Sequence, residues 1–157
     1  MAGRYEYRPG GSNYLCLPEE PQWKNYTTDE SRNLAHVFGV EYKFDRNFIN
    51  GGRRLSDKPV PCAVCYVSQR SASLMIPAGS YCPVGWTEEY GGYLMSAHRI
   101  DAVDHSTSYV CVDQAPAAGN GRGGYEHALI SVVKVVSGTL PSTVYRHREL
   151  ACVVCTK

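Results

Sequence analysis

The chain has 157 residues, enough for one domain with a core of its own, and its 43% hydrophobic and 20% charged residues are typical of a globular protein. Its formal net charge of +1 gives no electrostatic reason to expect a nucleic acid or an anionic membrane as partner. No apolar run approaches the roughly 18–20 residues of a membrane helix, and the polar, aromatic start of the chain is unlike a signal peptide.

Strand-like runs rich in Val, Tyr, Ile and Cys recur along the chain, bounded by Gly, Pro, Asn or Asp, and this pattern predicts β-strands. In chain order they are residues 36–44, 60–68, 73–77, 91–97, 107–113, 127–136 and 149–157. One short helix is predicted to open at residues 28–31, and residues 113–126 form a long loop. We therefore expect an all-β fold: a single disulfide-bonded domain, residues 1–157, of short antiparallel strands with long loops and a flexible N-terminus at residues 1–10.

Seven cysteines occur, so at most three disulfides form within the chain and one cysteine is unpaired or intermolecular. Two CxxC segments, CAVC at 62–65 and CVVC at 152–155, raise the alternatives of a zinc site, a redox pair and a disulfide framework. Their interiors are strand residues, and positions i and i+3 of a strand face opposite sides, which is poor for chelating one ion. A redox pair needs a helix N-terminus. The pattern therefore favours disulfides.

The expected disulfide cysteines are Cys62, Cys65, Cys82, Cys111, Cys152 and Cys155. One arrangement places the two CxxC strands side by side, joins Cys82 to Cys111, and leaves Cys16 unpaired or intermolecular; the sequence leaves the connectivity open. Disulfides imply an oxidising compartment. The glycosylation sequon at residues 25–27 fits a secreted protein.

Two polar segments carry the residue types that bind sugar hydroxyls. In residues 96–106 these are His98, Asp101, Asp104 and His105, and in the glycine-rich residues 119–127 they are Asn120, Arg122, Glu126 and His127. An ordinary solvated loop and a flexible glycine loop are the simpler interpretations. Trp23 is a candidate platform for stacking on galactose, whereas the setting of Trp86 favours the core. No HExxH, GxSxG or P-loop spacing is present, so no catalytic residue, metal or cofactor is expected.

Four segments carry a resemblance to a known family: GGSNYLCLPEEPQW, VPCAVCYVSQRSASLMIPAGSYCPVGWTEEYGGYLMS, YVCVD and ELACVVCTK. Over residues 10–157 the chain resembles the non-collagenous C-terminal domain of invertebrate short-chain, spongin-like collagens and its stand-alone relatives, which include an echinoderm-type N-acetyllactosamine-binding lectin. The resemblance implies an extracellular, disulfide-bonded module. The chain departs from the family in lacking a cysteine pair before the terminal CVVC, and it has no Gly-X-Y tract, so it forms no triple helix.

Together these features predict a secreted, non-enzymatic lectin for glycans with terminal galactose or N-acetyllactosamine, acting as a homo-oligomer in multivalent recognition of cell-surface glycans. An extracellular-matrix assembly or adhesion module without a sugar site is the alternative. A metal-dependent enzyme using Asp101, Asp104 and His105 is the third hypothesis.

Overall fold

A computed structural model describes residues 2–3, 13–24, 37–44, 49, 52–97, 108–121, 128–135 and 148–157. The elements in these ranges are seven strands and one short helix. They are β1 (Ala2–Gly3), β2 (Phe38–Tyr42), α1 (Gly52–Leu55), β3 (Ser73–Pro77), β4 (Thr87–Ala97), β5 (Val110–Asp113), β6 (Ala128–Val132) and β7 (Ala151–Thr156). The prediction of an all-β fold is confirmed. No helix in these ranges is long and apolar enough to cross a membrane.

The strands form one sheet in the order β1-β2-β6-β4-β7-β3, and β5 pairs with β4. Neighbouring strands are antiparallel except β2 and β6, which run parallel, with Val40 opposite Ala128 and Tyr42 opposite Ile130. The expectation of antiparallel strands is therefore wrong for this one pair. A long stretch of chain separates β2 from β6, as a parallel crossover requires.

Strand β4 is the hub of the sheet because it is hydrogen-bonded along both edges. The Leu94 amide donates to the Leu150 carbonyl and the Leu94 carbonyl accepts from the Val133 amide, each at 2.9 Å. In a strand the amide and carbonyl of one residue point to the same side, so β7 and β6 follow each other along one edge of β4. The other edge pairs with β5, where Leu94 lies opposite Cys111.

The main core lies on one face of the sheet, where β2 and β6 pack with Met95 near the end of β4. Its apolar side chains come from segments that lie far apart in sequence. Burying them together stabilises the fold, although it requires the long connections between these segments to be closed. The buried members of the cluster are Val40, Tyr42, Phe44, Ile49, Val60, Met95, Ala128 and Ile130. Tyr42 and Phe44 stack with ring centroids 5.5 Å apart.

Three disulfides link the chain, and the expected number is confirmed. They join Cys16 to Cys62, Cys82 to Cys155 and Cys111 to Cys152, and Cys65 is the free cysteine. The expected pairing is wrong: the two CxxC segments are not linked to each other, Cys82 does not pair with Cys111, and Cys16 is bonded. The argument for two separate cross-links does hold for the second CxxC, whose cysteines bond to different segments.

The expected strand at residues 60–68 is also wrong, since this segment is irregular in structure. Both edges of β7 are occupied: Cys155 lies opposite Leu74 on β3 and opposite Glu88 on β4. The first CxxC therefore has no edge of β7 to pair with, and Pro61 lacks the amide that a ladder requires. The other predicted strands are present, with β4 extended back to Thr87.

Two further predictions concern the N-terminus and the segment around residue 28. Ala2 and Gly3 pair with β2, while residues 1 and 4–10 of the expected flexible N-terminus lie outside the described ranges. The helix expected at residues 28–31 and the sequon at residues 25–27 lie outside them too. The one described helix, α1, lies elsewhere.

Candidate functional site

A cleft of about 800 Å³ lies against β5 and against residues of β3, β4 and β7, and it is open to solvent. One wall is made by the segment around Cys16 and by four residues of the range 61–66, which we call the strap: Pro61, Cys62, Ala63 and Cys65. The Cys16–Cys62 disulfide joins these two pieces. The cleft is thus bounded by part of the sheet, by residues 115–117 and by two irregular segments that are covalently tied together.

On the sheet side, the cleft is lined by side chains from three adjacent strands. Tyr90 on β4 lies opposite Val154 on β7, which lies opposite Met75 on β3, so these three side chains form one row across the sheet. Val110 and Val112 of β5 complete the apolar lining. The cleft floor is therefore a product of strand register.

Four tyrosines line the cleft: Tyr14, Tyr42, Tyr90 and Tyr109. The Tyr42 hydroxyl donates to the Ala117 carbonyl at 3.1 Å, and the Tyr90 hydroxyl donates to the Cys111 carbonyl at 3.0 Å. These bonds fix the two rings. Tyr109, just before β5, is 57% exposed and presents its ring to solvent.

Burial raises the pKa of Tyr42 to about 12. Burial also raises the pKa of Tyr90, with smaller electrostatic contributions from the nearby Asp113 and Cys65 side chains. Burial disfavours the charged phenolate, and a neighbouring negative charge disfavours it further. Both phenols therefore stay protonated near neutral pH and keep donating their hydrogen bonds.

Asp113 is the carboxylate of the cleft and ends β5. One of its oxygens, Oδ1, accepts a hydrogen bond of 2.7 Å from the Ala115 amide. A carboxylate has two oxygens and about four acceptor positions, so Asp113 keeps acceptor capacity after capping this turn. The cleft thus combines aromatic faces with one anionic acceptor, a combination suited to a polyhydroxylated ligand.

The glycine loop after β5 is partly held in place by Pro59. The Gly119 amide donates to the Pro59 carbonyl at 2.9 Å, and a Cβ on Gly121 would lie 2.8 Å from the Pro59 ring. Glycine is required here for close packing against Pro59, two residues before the strap. Asn120, between these glycines, is exposed and does not line the cleft.

Of the nine residues predicted for sugar binding, the described ranges include only Asn120 and Trp23. Trp23 is 83% exposed, and neither residue lines the cleft. The other seven lie outside the described ranges: His98, Asp101, Asp104, His105, Arg122, Glu126 and His127. Trp86, expected in the core, is half-buried.

Sequence reasoning missed the residues that form the cleft, notably Tyr90, Tyr109 and Asp113. One compositional signal pointed to them: the chain has 12 Tyr against 3 Phe. Tyrosine suits both sheets and binding surfaces, and only the register of β4, β5 and β7 shows which tyrosines meet.

No group of three or more His, Cys, Asp or Glu able to hold a metal ion occurs among the residues that the structure describes. No family model matches the chain, and no solved structure matches it significantly.

Proposed function

We propose that the protein is a secreted, non-enzymatic lectin that binds glycans with terminal galactose or N-acetyllactosamine in the cleft beside β5. The observation that carries the proposal is the lining of the cleft: tyrosine rings and one carboxylate, Asp113, around a volume of about 800 Å³. Ligand pockets of this size hold small organic molecules and oligosaccharide ends.

The chemistry of galactose supports this assignment. One face of the sugar carries C–H groups that stack on an aromatic ring, and the half-exposed ring of Tyr109 offers such a surface. The hydroxyls need planar acceptors, and Asp113 provides a carboxylate at the same cleft. The orientations of Tyr42 and Tyr90 are set by their hydrogen bonds, so part of the site is preorganised before a ligand binds.

The low net charge favours an uncharged ligand, and the three disulfides favour an extracellular one. The net charge of +1 supplies no strong field for an ionic partner. Three disulfides fit an oxidising compartment, where glycans are displayed. Single-sugar contacts are weak, so the proposal includes a homo-oligomer that presents several sites to a cell surface.

Binding of the wild-type protein to a glycan array tests the proposal, with lactose as competitor. Tyr109→Ala removes the stacking ring and should weaken binding about tenfold, the effect of ~1.4 kcal/mol. Asp113→Asn keeps an acceptor for the Ala115 amide but removes the charge, and should also weaken binding. Tyr81→Ala is the matched control, because Tyr81 is 84% exposed and does not line the cleft.

Two results contradict different parts of the proposal. A wild-type protein that binds no glycan overturns the lectin function. A wild-type protein that binds galactose-type glycans, with Tyr109→Ala and Asp113→Asn unchanged, overturns the cleft as the site. Variants at Arg122 and Glu126 then test the glycine loop, and variants at His98 and Asp104 test the other polar segment.

A matrix assembly or adhesion module is the second candidate, and exposed apolar side chains favour it. Val64 and Tyr66 on the strap are 85% and 92% exposed. Large exposed apolar side chains grouped on one segment are typical of protein-binding surfaces. Self-association that is lost in Val64→Ser and insensitive to lactose would favour this module over a lectin.

A further inference from the structure

Four cysteines lie on the walls of the cleft: Cys16, Cys62, Cys65, and Cys111 of β5, which is bonded to Cys152. The first two form a disulfide with Cα atoms 5.7 Å apart, whereas Cys65 is free and exposed. A thiol and a disulfide therefore share one solvent-open cavity, and two residues of the strap separate them. This is the minimum set of groups for thiol–disulfide exchange, in which a thiolate attacks a disulfide sulfur.

The strap is free of the sheet ladder that would hold it in one register. Within the part of the chain that the structure describes, residues 61–66 make no backbone–backbone hydrogen bond, and all six are exposed. The ladder stops just before, where the Val60 amide donates to the Val40 carbonyl at 2.8 Å. Over the described ranges, the Cys16–Cys62 bond is the cross-link that fixes the strap against its neighbouring segment.

We propose that Cys65 exchanges with this disulfide and so gives the strap a second covalent position over the cleft. The Cys65 thiolate attacks Sγ of Cys16, and a Cys16–Cys65 bond forms as the Cys16–Cys62 bond breaks. Cys62 leaves as a thiolate and takes up the proton that Cys65 lost. The number of disulfides and thiols is unchanged, so no external oxidant or reductant is required.

Attack on Cys16 is favoured over attack on Cys62 by the geometry of the strap. A Cys62–Cys65 bond has to bring Cα atoms only three positions apart within about 7 Å, which requires a tight turn through Ala63 and Val64. Val64 is β-branched and restricts its backbone and side chain there. A Cys16–Cys65 bond instead requires the strap to slide by three residues past Cys16 while Val60 stays bonded to Val40, and among the described residues no backbone hydrogen bond of residues 61–66 opposes that movement.

Exchange changes the site itself, a consequence that rests on the proposed function. The strap supplies Cys62, Ala63 and Cys65 to the cleft wall, so a slide of three residues replaces the side chains that face a bound sugar. The covalent loop, 46 residues in sequence separation, also grows by three residues. The two disulfide isomers are therefore two forms of one binding site with different affinity.

The exchange is tested first on the unmodified protein, without any ligand. The protein is incubated at mildly alkaline pH without reductant, quenched with acid, labelled with N-ethylmaleimide and mapped after digestion with pepsin. We expect the label on Cys65 at the start and a growing fraction on Cys62, matched by a Cys16–Cys65 cross-link. Label that stays on Cys65 alone overturns the proposal, as does a Cys62–Cys65 cross-link or a covalent dimer through Cys65.

Two serine variants lock the alternative isomers and provide the matched comparison. Cys65→Ser keeps Cys16–Cys62, and Cys62→Ser should form Cys16–Cys65 with no free thiol. We expect Cys62→Ser to bind immobilised N-acetyllactosamine about tenfold more weakly than Cys65→Ser. Equal affinities overturn the regulatory role. If neither variant nor the wild type binds glycan, the proposed function fails while the mapping still decides the exchange.

Discussion

The hydroxyl of Tyr42 donates a 3.1 Å hydrogen bond to the carbonyl oxygen of Ala117 and thereby ties the end of a core strand to the segment that borders the cleft. Tyr42 is 1% exposed, and its ring stacks on Phe44. The same residue thus belongs both to the core and to the candidate site, so its removal should affect both.

Tyr42→Phe keeps the buried ring and removes this hydrogen bond. We expect the free energy of unfolding to fall by about 1 kcal/mol, the typical net value of one such bond. Urea denaturation measures the change. Tyr81→Phe is the control, since Tyr81 is 84% exposed and should change stability little. Equal losses in the two variants would contradict a specific role for the Tyr42–Ala117 bond.

The raised pKa of Tyr42 also predicts that the free energy of unfolding falls at alkaline pH. Its pKa rises from the ordinary value of 10.0 to about 12 on folding because burial disfavours the phenolate. Between pH 10 and pH 12 the folded state keeps the Tyr42 proton that the unfolded state has lost. The stability that this proton gives the folded state is therefore fully present below pH 10 and is lost as the pH rises towards 12. The wild type should lose up to ~1.4 kcal/mol per pH unit more than Tyr42→Phe in this interval. Parallel pH profiles would refute the shift.

The two adjacent glycines of β4 should differ sharply in their tolerance of a side chain. A Cβ on Gly92 would lie 1.8 Å from the Val112 carbonyl oxygen, so alanine there must separate β4 from β5. We expect Gly92→Ala to lower the free energy of unfolding by about 3 kcal/mol or to prevent folding. At Gly91 the nearest atom to an added Cβ, the Glu88 Oε1, is 3.6 Å away. Gly91→Ala should therefore fold, and thermal unfolding of both variants decides the point.

A bulge in β4 creates a polar cluster at Glu89. The register with β7 shifts between Glu88 and Tyr90, which leaves Glu89 as the extra residue. Its Oε1 accepts from the Thr156 hydroxyl at 2.5 Å and pairs with Arg70 Nη1 at 2.9 Å. Glu89→Ala leaves the buried Thr156 hydroxyl without this acceptor.

The expected cost of Glu89→Ala is about 1–2 kcal/mol, most of it from the unpaired hydroxyl, because the partly exposed ion pair contributes little. Glu88→Ala is the matched control on the neighbouring exposed position and should stay within about 0.5 kcal/mol of the wild type. Denaturant midpoints give both values. Comparable losses at the two positions would argue against the bulge as the cause.

Disulfide mapping at acid pH should yield peptides that join Cys16 to Cys62, Cys82 to Cys155, and Cys111 to Cys152, with one thiol that reacts with maleimide. A peptide joining Cys82 to Cys111 would contradict this connectivity. The paired change Cys111→Ala and Cys152→Ala should cost about 4 kcal/mol, because it opens a loop with a sequence separation of 41. Intact mass before and after alkylation checks the count.

Much of the strand content was predictable because it is encoded locally. Residues 73–77 were predicted as a strand and are β3 with the same bounds. The apolar run Leu74-Met75-Ile76, closed by Pro77, favours that assignment. The same local rule failed at residues 60–68, since a strand forms only where another strand offers a free edge. The local sequence pattern gives a segment its tendency to form a strand. Whether the strand forms depends on whether a neighbouring strand has a free edge to pair with.

The candidate site was less predictable than the fold. Polar residues in loops suggested sugar binding, but the described cleft is formed by Tyr90, Tyr109, Asp113 and the strap around Cys65. These residues are scattered in sequence and carry no shared motif. They meet because β5 pairs with β4 and because Cys62 is bonded to Cys16.

Residue order alone was enough to predict a β protein with at most three internal disulfides and one cysteine left over, since strand propensity is local and an odd number of cysteines cannot all pair within the chain. The identity of that cysteine, the partner of each bonded cysteine and the position of the cleft followed from the packing of the sheet. Each depends on which segments occupy the two edges of β4 and β7, and that competition is between parts of the chain far apart in sequence.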